Sequence, residues 1–291
     1  MGATLRFEEL DATFGAVVTG ARLAELDERG FAELHEGWVE HGLIVAPDQH
    51  LTRAEQDALA RRFGPLEFEA TALTNVRSDG TLRGDADDDV VKLLRGNEGW
   101  HHDSTYLPVQ ARGAVFSAEI VPDEGGATGW ADMRAAYDAL DDATRERVAG
   151  LAAHHSLRYS QERAGQLPSA DEDGVIHQYG YHDDAPPLRP LVKVHPDTGR
   201  PNLVIGRHAH AVPGMDPAES EALLDALNAE AVADPSRTHH HEWSVGDVVI
   251  WDNRRLMHRA TPFDLAQPRR MWHTRVAGDP ATETALNHDG G

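Results

Sequence analysis

Residues 247–278, DVVIWDNRRLMHRATPFDLAQPRRMWHTRVAG, hold two β-like runs joined by a turn-rich link, and their reading decides the fold. DVVIWD is a short buried run, and MWHTRVAG follows with alternating character before Gly278. Side chains alternate faces along a strand, so Arg269, Met271, His273 and Arg275 share one side. Arginines on an inward face are costly unless an anion meets them, because an unpaired buried cation loses its hydration. The planar guanidinium fork matches a carboxylate, which makes a carboxylate ligand the economical explanation.

Working outward, AVFSAEIV, LVKV and NLVIG repeat the pattern of short runs divided by Gly, Pro and Asp turns. Nearer the start, GFAELHEGWVEHG reads as a helix and GLIVAP as a buried strand. LTRAEQDALARRFG reads as a second helix, opened by a Thr52–Glu55 capping-box pattern and stopped at Gly64. DMRAAYDALDDATRERVAGL and DPAESEALLDALNAEAVAD are two amphipathic helical segments. Strands in runs with few crossovers predict a mainly β protein with flanking helices, an antiparallel barrel or sandwich rather than a Rossmann sheet. No GxGxxG or Walker A pattern speaks for a nucleotide fold. With no repeat and no compositional break, residues 1–291 read as one domain. SDGTLRGDADDD, residues 78–89, has almost nothing to bury and reads as a mobile loop, a candidate lid.

Of the 291 residues, 27 are Lys or Arg and 49 are Asp or Glu, a formal charge of −22. That leaves no basic face for nucleic acid. No stretch approaches the roughly 20 apolar residues of a membrane helix. The opening residues, MGATLRFEELDATFGAVVTG, carry neither a basic nor an apolar leader region, so a cytoplasmic enzyme is the expectation. The sequence has no cysteine, so any metal must sit on nitrogen and oxygen.

GWHHDSTY, residues 99–106, carries the strongest local signal. Read as a strand, it turns His101 and Asp103 to one face and His102 to the other. His258, just past the buried run, supplies a second imidazole. Two imidazoles and one carboxylate on one face of an octahedral ion leave three open positions, the arrangement of non-haem Fe(II) oxygenases. Alone, the HxD pair is weak, and its bland reading is a surface strand bearing a histidine and an acid.

Arg269 stands eleven residues after His258. Together His101-x-Asp103, His258 and Arg269 resemble the Fe(II)/2-oxoglutarate-dependent taurine and 2,4-dichlorophenoxyacetate dioxygenase family. ATFGAVVTGARLAELD, WHHDSTY, PLRPLVKVHPDTGRP, IGRHAHAVPGMD and MWHTRVAG narrow the resemblance to aryloxyalkanoate dioxygenases, especially those acting on (S)-2-aryloxypropanoates. The likeness runs from about residue 10 to 279. It implies a double-stranded β-helix (jelly-roll) core, with His101, Asp103 and His258 as iron ligands and 2-oxoglutarate and O2 as cosubstrates. It further implies that Thr128 and Arg269 hold the distal carboxylate of 2-oxoglutarate, and that Arg207 and Arg275 bind a small-molecule carboxylate substrate. The implied reaction hydroxylates the carbon next to the ether oxygen, releasing a phenol and a 2-oxo acid with succinate and CO2. Residues 78–90 and 161–185 follow the family pattern poorly and are candidate pocket edges. The family is commonly oligomeric, which allows a homo-oligomer, but no interface is legible and the oligomeric state stays open.

The remaining candidates are weighed on their residues. His208, in GRHAHA, either lines the pocket or is a turn histidine, and His273 is either pocket wall or a satisfied core histidine. HHHEW, residues 239–243, is discounted as a metal site because consecutive histidines alternate direction. Three competing functions stand beside the leading one. They are the same cofactor chemistry on a sulfonate, sulfate ester or amino-acid-like metabolite; a jelly-roll protein binding without turnover; and a zinc hydrolase.

Overall fold

Alternation along the strand Val248–Asp252 sets the layers. Val248 and Ile250 join one apolar cluster, Val249 and Trp251 another on the opposite side. The computed structural model describes residues 4–172, 175–182 and 184–288. This strand lies at the middle of a seven-stranded sheet in the order Arg6–Glu9, Ala16–Thr19, Leu43–Ala46, Val248–Asp252, Gly113–Ile120, Arg270–Val276, Leu66–Thr74. Its pairings are antiparallel except that of Ala16–Thr19 with Leu43–Ala46. One face packs on the helices Glu28–His41 and Arg53–Phe63 through Leu34, Trp38, Leu59 and Phe63.

The other face meets a three-stranded sheet, Thr238–His241, Thr128–Asp132 and Leu256–Ala260, through Phe116, Trp130, Trp251, Leu256 and Met271. Outside that smaller sheet a third cluster, including Ala131, Met257 and Leu223, buries the helix Pro217–Ala231. Such burial contributes roughly 1.5–3 kcal/mol per large apolar side chain. The site lies between the two sheets, where inward side chains of the outer strands reach past the core.

Local chemistry explains the element ends. Thr52 and Glu55 close a full capping box, and Gly42 caps the first long helix in the left-handed region, its N–H reaching Trp38 O. The segment 132–151 is two helices, Met133–Ala139 and Asp142–Val148, not the single one expected. Leu140 is extended so that it can bury, and Asp141 restarts the chain by accepting from Thr144 N. GWHHDSTY also departs from expectation. His101 forms a single β-bridge to His258, and the chain then turns, with Ser104 at a φ of 56°.

Of the two variable segments, residues 78–89 are tied down by ion pairs: Asp88 Oδ2 takes Arg77 at 2.9 Å and Arg83 at 2.7 Å. The helix Asp89–Gly96 follows directly. In the segment 161–185, residues 173, 174 and 183 lie outside the described residues. Among the described residues, no helix is long and apolar enough to cross a membrane.

Candidate active site

His101 and His258 face each other across two backbone hydrogen bonds, His101 N to His258 O at 2.9 Å and His258 N to His101 O at 2.8 Å. That pairing sets their rings 4.3 Å apart. Asp103 joins them: one ligand atom from each of the three lies within 4.8 Å of the others, and all three residues are buried. His101 Nδ1 donates to Gly99 O at 2.8 Å, which leaves the Nε2 lone pair free to ligate. Asp103 Oδ2 is buried with no hydrogen-bond partner and lies 3.7 Å from His258 Nε2 and 3.5 Å from His273 Nε2. An orphaned carboxylate oxygen between two imidazoles suits a divalent cation, since a buried carboxylate otherwise needs a donor.

The protonation states agree. Burial, with help from neighbouring cations, holds His101, His208 and His258 well below the ordinary imidazole pKa, and His273 down to about 3. All four are neutral at pH 7. Burial would raise the Asp103 pKa, but Arg275 and His273 outweigh it and hold the carboxyl below its usual value.

The HxD segment is held from behind by Asn253, a residue sequence reasoning missed. Its Oδ1 accepts Asp103 N at 2.7 Å, its Nδ2 donates to Asp103 O at 3.0 Å and Ala111 O at 2.9 Å, and its carbonyl accepts His102 Nδ1 at 2.7 Å. His102 therefore points away from the site, as its parity predicts. Asn253→Leu would leave three buried backbone groups unpaired, at ~1–3 kcal/mol each. The expected loss in denaturant unfolding is about 3 kcal/mol or more; a change below about 1 kcal/mol would contradict this account.

A cavity of about 580 Å³ opens over these residues, walled largely by apolar side chains including Phe68, Leu73, Val90, Leu93, Leu94 and Leu157. Arg269 lines it. Its Nη2 donates to Gly126 O at 3.0 Å, its Nε has no partner, and it makes no ion pair with any described acid. Burial lowers its pKa only to about 10, so it stays charged at pH 7. Thr128 also lines the cavity and accepts Trp243 Nε1 at 3.0 Å, which leaves its own hydroxyl proton free to donate.

His273 is pocket wall: its ring stacks on Trp251 at 5.6 Å and meets Phe68 and Phe116 edge-on. His208 lines the cavity 5.5 Å from the His101 ring, with Nδ1 bonded to Ser160 Oγ at 2.8 Å. Arg207 does not stand on the wall with them. Gly206, at a φ of 107° and too close to Trp100 O for a side chain, turns the chain there. Arg207 Nη2 reaches Gln161 at 2.6 Å and Ser160 at 3.2 Å, one layer back, while Nε and Nη1 have no partner.

Arg275 lines the cavity, and both of its terminal nitrogens have partners within the chain, while its Nε has no hydrogen-bond partner. Nη2 donates to Asp103 Oδ1 at 2.6 Å, and Nη1 to Ser104 Oγ at 3.0 Å and Glu67 Oε1 at 3.4 Å. Neither Glu67 nor Tyr179, which donates to Glu67, was anticipated. A second cluster with metal-ligand spacing, His195, Asp197 and Asp252, is satisfied internally. Arg254 pairs with both acids, and His195 Nδ1 accepts from the backbone N–H of Asp197 and Thr198. In the HHHEW run, His241 pairs with Asp247 and His240 packs on Trp100.

Comparison with known proteins places this geometry. Residues 6–276 match the model of the taurine catabolism dioxygenase TauD, TfdA family. The chain is 61% identical over 280 residues to the (S)-phenoxypropionate/alpha-ketoglutarate-dioxygenase of Sphingobium herbicidovorans, covering 96% of this chain and 97% of the relative. It is 53% identical over 292 residues to the protein of the same description from Delftia acidovorans, covering 98% and 99%. Among solved structures, AAD-2 in complex with Mn(II) and N-oxalylglycine superposes with a TM-score of 0.88 at 34% identity, covering 98% of this chain and 100% of that one. The two packed sheets are thus a double-stranded β-helix.

Proposed function

The chain belongs to the TauD/TfdA family and is a 2-oxoglutarate-dependent dioxygenase requiring Fe(II) and O2, and from that premise we propose that its substrate is an (S)-2-aryloxypropanoate or a close aryloxyalkanoate relative. In this reading His101, Asp103 and His258 hold the iron, and Thr128 and Arg269 hold the distal carboxylate of 2-oxoglutarate. When bound, the metal and cosubstrates supply the oxidising power for a C–H bond, with succinate and CO2 as coproducts. The substrate carbon beside the ether oxygen gains a hydroxyl, and the resulting hemiketal or hemiacetal collapses to a phenol and a 2-oxo acid.

The observation that carries the proposal is a charge imbalance. Arg269 and Arg275 stand on the cavity wall with Asp103, and Arg207 and Glu67 lie behind it; Asp89, also on the wall, is paired with Lys92 at 3.6 Å, which leaves Asp103 and Glu67 as the acids to set against three arginines, while the histidines are neutral. Counted with both acids ionised, a divalent ion raises the positive excess from one to three. A dicarboxylate cosubstrate and a monocarboxylate substrate together return it to zero. Buried charge is tolerated only when compensated, so the cavity suits anionic ligands. Its whole-chain charge of −22 would repel such anions at long range, so recognition is local.

Arg207 contributes to that recognition from behind His101 and Ser160. His208 presents its free ring nitrogen to the cavity, and His273 shapes the wall without adding charge. Phe68, Leu73 and the inward residues Val90, Leu93 and Leu94 of the helix Asp89–Gly96 form an apolar berth for an aryl ring and keep water from the reacting carbon. The segments near 78–90 and 161–185 edge this berth through Asp89, Val90, Gln178, Tyr179 and Tyr181. We assign them as its covers and treat the whole chain as one catalytic unit.

The test is a panel of acids assayed for succinate and for phenol. (S)-2-Phenoxypropanoate should give the two products in equal amounts, with weaker coupling for the (R) enantiomer. Coupling confined to taurine or an alkyl sulfate would overturn the substrate assignment.

A further inference from the structure

Asp103 presents its two oxygens to different company. Oδ2 lies 3.7 Å from His258 Nε2 and 3.5 Å from His273 Nε2 and has no hydrogen-bond partner, whereas Oδ1 accepts Arg275 Nη2 at 2.6 Å. The other arm of the same guanidinium reaches Ser104 Oγ at 3.0 Å and Glu67 Oε1 at 3.4 Å. Glu67 Oε1 also accepts Ser104 Oγ at 2.7 Å and the Tyr179 hydroxyl. Phe68 and Tyr179 cover the guanidinium plane, with ring centroids 4.7 and 5.8 Å from its carbon. Both terminal nitrogens are thus engaged by the chain's own groups, with Nε left without a hydrogen-bond partner, and their anchors come from three distant parts of the sequence.

We propose that Arg275 is a positioning residue for the metal-binding carboxylate, and that Glu67 and Tyr179 position Arg275 in turn. The inference rests on reading His101, Asp103 and His258 as the metal site. An unrestrained carboxylate can grip a cation with both oxygens and so fill a position the chemistry needs open. Arg275 occupies Oδ1 and leaves Oδ2 as the ligand atom. Arginine suits this task because its rigid fork spans two acceptors at once, which a lysine ammonium on a flexible stem does not. Partners behind metal ligands commonly change metal affinity 10- to 100-fold when lost. Tyr179 belongs to the segment that edges the cavity, so docking of that segment and orientation of Asp103 are coupled through Glu67 and Arg275.

The experiment titrates Co(II) into the metal-free full-length protein, without substrate, and reads both affinity and the visible d–d spectrum. Relative to wild type, Arg275→Gln should bind Co(II) about 10-fold or more weakly with an altered spectrum. Arg275→Lys should fall between, with kcat lowered and KM for the aryloxyalkanoate unchanged. Tyr179→Phe removes one hydroxyl from a half-exposed ring, so its folding is not at issue should Arg275→Gln fail to fold. It should shift affinity and spectrum in the same direction by a smaller factor.

Wild-type Co(II) affinity and spectrum in Arg275→Lys or Arg275→Gln, with KM for the substrate raised, would overturn the assignment and make Arg275 a substrate-binding residue. Tyr179→Phe identical to wild type in both readouts would overturn the coupling to the covering segment. A wild-type protein that binds no Co(II) would overturn the metal reading and this inference together, so the two failures are distinguishable.

Discussion

Asp103→Ala abolishes succinate formation, with or without an aryloxyalkanoate present, and lowers Co(II) affinity by orders of magnitude. Two neutral imidazoles remain after the substitution, and neither offers the charge that a divalent ion needs to leave water. The same change removes the nearest anion from Arg275, which is buried and keeps Glu67 and Ser104 as its hydrogen-bond partners among the described residues. Breaking a buried pair from one side typically costs about 3–5 kcal/mol. Glu67 remains, so the low end is expected for the metal-free protein. Succinate production above about a tenth of wild type would reject the metal assignment; an unchanged unfolding midpoint would reject the pairing with Arg275. Calorimetric and chemical unfolding both read the second quantity directly.

Arg269→Met weakens 2-oxoglutarate binding by about 2–5 kcal/mol, some 30-fold to several thousand-fold in Kd, while Co(II) affinity stays at its wild-type value. The guanidinium has no acid partner among the described residues, so the dicarboxylate completes it. That lone state predicts a stability effect opposite to that of Asp103→Ala. A buried cation with no counter-charge destabilises the fold, and a methionine of similar volume in its place is neutral or stabilising. The metal-free variant should therefore unfold at or above the wild-type midpoint while losing cosubstrate, a trade of stability against function. An unchanged Kd for 2-oxoglutarate would reject the placement. Marked destabilisation of the metal-free protein would mean that Arg269 has a structural anion partner.

The face shared by Arg269, Met271, His273 and Arg275 was legible because strand parity is a local property. Met271 enters the inter-sheet core, His273, Arg275 and Arg269 line the cavity, and Trp272 and Thr274 lie on the other side against Arg53 and Asp57. The capping box at Thr52, the strand Leu43–Ala46 and the helix Pro217–Ala231 were legible for the same reason. The break at Leu140 was not, because helical periodicity continues through it and only burial of that leucine interrupts it. That Arg207 bonds Ser160 and Gln161 was not legible, since the direction of a side chain after a glycine turn depends on the φ that the surrounding packing selects.

Residue type and spacing along the chain therefore determined the strand-rich class, the His101-x-Asp103 pair and a face of arginines awaiting a carboxylate. These follow from alternation and from the cost of burying charge, which act over a few residues at a time. Tertiary structure alone decided which arginine remains unpaired and which is spent inside the protein. Glu67, Ser104 and Arg275 meet only when the strands Leu66–Thr74 and Arg270–Val276 pair, and Asn253 reaches Asp103 only when the HxD turn docks on the end of Val248–Asp252. Hydrogen bonds and ion pairs fall off within a few ångströms, so their partners are chosen by the register of distant strands, and no local pattern records that choice.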